Sequence, residues 1–398
     1  MSENTLHQTP DKNKEKLEVE GLFYRDGTPI SILIENGHIK DVIKKTKLED
    51  PEKHNLFIGP GLIDIQVNGY LGHGFTTPGL TVENVKEITQ NLWRVGVTTY
   101  LPTLITADSQ ILLENFAILA SAMRDSQVSW SVPGFHLEGP YISPIDGFRG
   151  AHNRKWIHPP NIHEFNEFLT AASGKILLVS LAPELPGAID FIRYCQQKSI
   201  STALAHHNAS TQIIKQAVAA GARLSTHLGN GMANTIARHD NPLWPQLAEE
   251  NLSISIIVDG FHLTPEMVKV FYKAKGPDKI ILVSDTTDLA GLPPGQYIWD
   301  NKKIELKPEG VIFYPEQNVL AGAAAPLIND IGNMIQFTNC KLAEAIDMVS
   351  KNPAKLLGLD DRGIIEPGKR ADLILFTIQN NRLEIKKTLI AGKTVYHN

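Results

Sequence analysis

The apolar positions of the chain change rhythm twice. Between residues 17 and 58 they come in short alternating runs, broken by Asp26-Gly27 and Asn36-Gly37. Such dipeptides between apolar runs predict β-hairpins. The same texture returns at the far end, in runs at 371–376 and 383–389 and, after Ala391-Gly392, at 394–396. Neither end can close a core alone, so the two are expected to build one small β domain together.

Between the ends, short apolar runs recur at 61–67, 98–104, 132–137, 176–181, 202–205, 223–226, 254–258 and 280–283. Segments between them, including 82–95, 109–124, 162–172, 188–197, 211–220 and 265–275, carry helical spacing of apolar residues. Alternating strand and helix predicts a parallel sheet, and eight such units predict a (β/α)8 TIM-like barrel. No G-x-G-x-x-G follows the first run, so dinucleotide binding finds no support. Residues 287–325 turn Pro/Gly-rich with short strands, an insertion expected near the barrel mouth; 327–336 and 342–350 are expected as helices that close the ring. The expected organisation is a flexible polar tail (1–16), a small β-sandwich domain (17–58 plus 364–398) and the barrel (59–363).

Composition agrees. The 398 residues suit a barrel with a small accessory domain, and 42 % hydrophobic with 20 % charged is ordinary globular usage. A net charge of −5 gives no reason to bind nucleic acid or an anionic membrane. Two cysteines, Cys195 and Cys340, exclude a disulfide framework or a cysteine zinc cluster. The opening residues are polar, without the apolar core of a signal peptide, and no later stretch approaches a membrane span; a cytoplasmic protein is expected.

In such a barrel, chemistry sits where strands end. Gln66 and Asn68 end the first run, Glu138 follows the third, His206 the fifth, His227 the sixth, Asp259 and His262 the seventh, and Asp285 the eighth. A lone His or Asp after a strand often caps a helix or bonds backbone. So many strand ends carrying such groups point to a site. Glu138, His206 and His227 supply one carboxylate and two imidazoles, a set that binds a catalytic divalent ion and leaves a position for water. Zn2+ suits it, and Fe2+ or Co2+ accept similar ligands. Asp285 is then the expected proton carrier, the alternative being a cap on the following loop.

These residues lie in stretches that resemble a known family. Gly59-Pro60-Gly61-Leu62-Ile63-Asp64 and Pro367-Gly368-Lys369-Arg370-Ala371-Asp372-Leu373 resemble signatures of the amidohydrolase superfamily. HLEGP from His136, HHNAS from His206, HLGNGM from His227, DGFH from Asp259, LVSD from Leu282 and NVLAG from Asn318 resemble the N-acetylglucosamine-6-phosphate deacetylase family, in its order. The resemblance implies hydrolysis of an acetylated amino sugar and a homodimer. Gln66-Val67-Asn68 stands where many amidohydrolases have H-x-H, which implies one metal ion. It implies that His152, beside Ala151, lies near the acetamido group, that His262 contacts the sugar, and that Asn230, beside Gly229, and Arg238 help hold the 6-phosphate, the arginine across a dimer interface. Arg238 could equally sit on a solvated turn. Gly229, Ala233, Thr286-Thr287, Asp288-Leu289 and Ala323 depart from the family pattern around the pocket, and Asp288 pointing inwards would repel a phosphate. An unphosphorylated N-acetylhexosamine, or another N-acyl substrate such as an N-acyl-D-amino acid, therefore stays open. So does a non-catalytic relative, although the metal set and Asp285 are all present.

Overall fold

A computed structural model describes residues 16–299, 302–314 and 319–398. The expected loose tail lies outside the described residues, save Lys16, which opens the first strand. The first and last described strands lie in one seven-stranded sheet. Lys16–Phe23, Pro29–Glu35 and His38–Lys44 form the two hairpins expected at Asp26-Gly27 and Asn36-Gly37. Phe57–Pro60 joins this half to the C-terminal strands, pairing parallel with Lys16–Phe23 and antiparallel with Leu373–Gln379. Leu373–Gln379, Arg382–Ile390 and Lys393–His397 complete the sheet.

The eight apolar runs are eight parallel neighbouring strands: Leu62–Val67, Val97–Ile105, Phe135–Glu138, Ile176–Leu181, Ser201–Leu204, Leu224–Ser225, Ser253–Ile256 and Ile280–Leu282, the first to eighth barrel strands. First and eighth meet just past their ends, where Val67 bridges Thr286, Asn68 N–H donates to Thr286 O (2.8 Å) and Asp285 N–H to Gln66 O (3.1 Å). This is a barrel with helices around it. Alternate strand residues turn two ways. Leu101, Leu178, Ala203, Leu224, Ile281 and Val283 share one apolar cluster, while Tyr100, Leu137, Val179 and Leu204 pack in a larger one with helix residues such as Phe116, Phe168 and Phe191.

The helices begin where local chemistry permits. Thr81 and Asn84 form a reciprocal cap on Val82–Arg94, whose Val85, Ile88, Leu92 and Trp93 are buried. Ser210, the last residue of the HHNAS stretch, caps Thr211–Ala220, so its role is structural. Thr264 caps Pro265–Lys275, with proline at the start, where its missing N–H costs nothing. The insertion is a four-stranded antiparallel sheet: Gly295–Trp299, Lys302–Leu306, Val311–Tyr314 and Val319–Ala323. Among the described residues, no helix is long and apolar enough to cross a membrane.

Asp64 is a buried carboxyl in this frame, pushed up to about 7 by burial despite bonds from Ser284 and Gln66. Its folded value exceeds its unfolded one, so its contribution to stability is present in acid and is lost as pH rises through about 7. Asp64→Asn keeps the acceptor oxygen and removes the charge. Its melting temperature relative to wild type is expected to climb between pH 5 and pH 8, by the equivalent of at most about 3 kcal/mol. A difference that stays flat across that range contradicts this reading.

Candidate metal centre and active-site cavity

Glu138, His206 and His227 come together at the C-terminal rim. Their ligand atoms all lie within 4.8 Å of one another, and all three residues are buried. Glu138 Oε1 is 2.9 Å from His227 Nε2 and 3.5 Å from His206 Nε2. Burial works to raise the Glu138 carboxyl, but the two imidazoles outweigh it and hold it well below its ordinary value. Burial works to lower His227, yet the carboxylate holds it raised. A cluster that gathers positive charge around one buried carboxylate oxygen is one in which a divalent cation can replace the protons.

Geometry also fits a metal. His206 Nδ1 lies 2.9 Å from the Phe148 carbonyl, which can only accept, so Nδ1 carries the proton and Nε2 keeps its lone pair for an ion. The ring is wedged by glycine: a Cβ on Gly231 (φ +61°) would lie 2.7 Å from His206 Nδ1, and one on Gly150 (φ +56°) 2.9 Å from Cε1. The neighbouring His207 is pushed down to about 4 by burial and accepts Ala209 N–H at Nδ1, which makes it a neutral structural residue. His206 (φ 49°), His227 (φ 31°) and Asp285 (φ 50°) all sit in left-handed backbone, uncommon for residues with a Cβ. Strain shared by three groups of one site is the kind that function retains.

The centre opens into a cavity of about 690 Å3 lined by Asp285, His152, Ala151, Gly229, Asn230 and His262 among others. Asp285 is pushed up to about 6, first by burial and then by Glu138. His152 is pushed down to about 3, mainly by burial and then by His206, so its ring is neutral. Its Nδ1 lies 2.8 Å from Thr106 Oγ1. If the hydroxyl donates there, Nε2 carries the proton and can donate to a substrate oxygen. Asn230 Nδ2 is a buried donor with no partner among the described residues. His262 Nδ1 is 2.7 Å from Asp259 Oδ2, while Asp259 Oδ1 accepts the N–H groups of Phe261 and His262, which fixes the imidazole and leaves Nε2 for the cavity.

Not every expected residue is assembled. Arg238 is exposed and lies outside the cavity lining in a single chain; its carbonyl accepts from Trp244 Nε1 (3.2 Å). Among the described lining residues there is no Lys or Arg, while Asp288 and Asp108 are present. Burial raises the Asp288 carboxyl. The sequence reading missed Thr106, which follows the second barrel strand and was open to the same strand-end argument as Glu138. It also missed that Ile298 and Leu320 of the inserted sheet reach the cavity.

A parallel barrel with a carboxylate–imidazole–imidazole centre and a separate raised carboxyl in one cavity is the framework of a metal-dependent hydrolase. The chain belongs to the amidohydrolase family, whose model matches residues 57–395. It is 31 % identical over 342 residues to the N-acetylglucosamine-6-phosphate deacetylase of Bacillus subtilis (strain 168), covering 85 % of this chain and 84 % of that one. It is 28 % identical over 335 residues to the N-acetylgalactosamine-6-phosphate deacetylase of Escherichia coli O157:H7, covering 84 % and 86 %. The crystal structure of the Thermotoga maritima N-acetylglucosamine-6-phosphate deacetylase superposes with a TM-score of 0.85 at 28 % identity, covering 96 % of this chain and all of that one.

Proposed function

We propose that the protein removes the acetyl group of N-acetylglucosamine-6-phosphate, giving glucosamine-6-phosphate and acetate. The observation that carries this reading is the buried Glu138–His206–His227 cluster sharing one cavity with Asp285. The relatives supply the substrate class.

Glu138 Oε1 and the Nε2 atoms of His206 and His227 would hold one divalent ion, Zn2+ by ligand type, with Fe2+ or Co2+ as other occupants. Such an ion polarises a carbonyl and lowers the pKa of water. Asp285 takes the proton of the attacking water as the new C–O bond forms. His152 donates to the acetamide oxygen as charge builds there. Asp285 then gives the proton to the sugar nitrogen as the C–N bond breaks, releasing acetate and the amine. His262 holds the sugar, and Asn230 helps hold the 6-phosphate. Asn230→Ala is expected to raise KM about tenfold, the worth of one hydrogen bond to a charged group, with kcat little changed; an unchanged KM removes Asn230 from the binding site.

The absence of Lys and Arg from the described lining residues favours a second reading, an unphosphorylated N-acetylhexosamine. The phosphorylated substrate calls for Arg238 from a second copy, hence a homodimer, and we place the enzyme in the cytoplasm. Comparing kcat/KM for N-acetylglucosamine-6-phosphate and N-acetylglucosamine, in wild type and Arg238→Ala, separates the readings. Preference for the phosphate, weakened by Arg238→Ala, supports the first. Equal turnover, indifferent to Arg238→Ala, supports the second.

A further inference from the structure

The first barrel strand ends in two amides, and each is bonded to a different carboxylate of the site. Gln66 Nε2 donates to Glu138 Oε2 (3.0 Å), and Asn68 Nδ2 donates to Asp285 Oδ1 (2.7 Å). We propose that Gln66 and Asn68 are positioning residues that each hold one oxygen of a working carboxylate, so that only the other oxygen faces the reacting centre. The proposal rests on the deacetylase reading only for its kinetic consequences.

Four observations support it. First, the division of labour is visible at Glu138: Oε2 is taken by Gln66, and Oε1 is the oxygen that faces both imidazoles. Second, the register with the second strand shifts between Asp64 and Val67. Such irregularities re-aim side chains beside active sites, and here Gln66 turns to the third strand's Glu138. Third, barrel closure does not need these side chains, because the bonds that join Gln66 and Asn68 to Asp285 and Thr286 across the seam are backbone bonds. Fourth, Asn68 Oδ1 is buried with no partner among the described residues, while Asn68 lines the cavity. A buried carbonyl left bare is costly. Turning the amide over would set that oxygen against the Asp285 carboxylate. The clamp therefore leaves an acceptor in the cavity, available to a hydrogen of the attacking water.

An amide suits the task better than a cation or an acid. It donates without neutralising the carboxylate, and it neither gains nor loses charge at any working pH. Loss of such an outer partner costs roughly 10–100-fold in metal affinity or activity.

The test uses the full-length protein with Gln66→Ala and Asn68→Ala, and with Gln66→Met and Asn68→Leu, which roughly keep the volume and remove the donor, should alanine prevent folding. Gln66 variants are expected to bind Zn2+ about 10–100-fold more weakly in a chelator competition. Asn68 variants are expected to keep Zn2+ affinity and KM near wild type while kcat falls by a similar factor. In crystals of an Asn68 variant, the Asp285 carboxylate is expected to leave its wild-type orientation. Wild-type Zn2+ affinity in the Gln66 variants overturns the proposal. So does an Asn68 variant with wild-type kcat, or one whose loss lies in KM. If wild type releases no acetate from any sugar, the functional reading fails, and Zn2+ affinity and the orientation of Asp285 still decide the clamp.

Discussion

Asp285→Asn is expected to lower kcat by about 10^2- to 10^4-fold, the range for loss of a positioned proton carrier, with the metal still bound. The substitution is close to ideal for isolating chemistry. Asn tolerates the left-handed backbone at φ 50° better than most residues. Its carbonyl can still accept from Asn68 Nδ2, as Asp285 Oδ1 does at 2.7 Å. What it cannot do is take a proton. Removing a buried carboxyl also leaves stability unharmed, since burial holds that group raised at about 6. The pH profile gives a second reading of the same residue. A base must be ionised to work, so the wild-type rate falls as pH drops through the Asp285 pKa. Positive charge at the neighbouring centre draws that value down, so the acid limb is expected at or below about 6. An acid limb above 7, or one that survives in residual Asp285→Asn activity, would assign the base role elsewhere.

The second large effect is expected from Glu138→Gln, which should abolish metal binding and activity together. Glu138 supplies the only carboxylate of the cluster and is buried with both oxygens engaged. A neutral amide is a poor ligand, and its NH2 group must face either the Gln66 NH2, a donor against a donor, or the ion position, where an NH2 offers no lone pair. The loss should therefore exceed the roughly 10–100-fold cost of removing an outer partner. A melting measurement reads it without substrate. Ligand at about 100 times its Kd stabilises a protein by about 2.7 kcal/mol. Zn2+ should thus raise the melting temperature of wild type and leave Glu138→Gln unmoved. A variant that keeps the Zn2+-dependent rise would place the metal elsewhere.

Much of this was legible in the sequence because barrels write their plan locally. Each strand is a short apolar run, and the next polar residue lies at the rim, so Glu138, His206, His227 and Asp285 could be found one at a time. Motifs such as HLEGP and HHNAS then tied them to a family. The less legible parts are those with no local period. The helices Ser126–Ser131, Leu243–Ala248 and Lys351–Leu357 are six or seven residues long, too short to show a repeat. Gln66 and Asn68 could be recognised as replacing an H-x-H pair. That they reach two different carboxylates depends on the strand irregularity and on closure between residues 217 positions apart. The position of Arg238 depends on the fold of a turn held by Asn241 and Trp244, and no periodicity reports that.

Acetate release from N-acetylglucosamine-6-phosphate by Zn2+-loaded wild type, with Asp285→Asn as the blank, tests the central claim most directly. Steady release of one acetate per amine formed, with the blank close to background, is the predicted result. Equal release by both proteins would contradict the assignment of Asp285, and no release from this sugar or from N-acetylglucosamine would contradict the deacetylase itself.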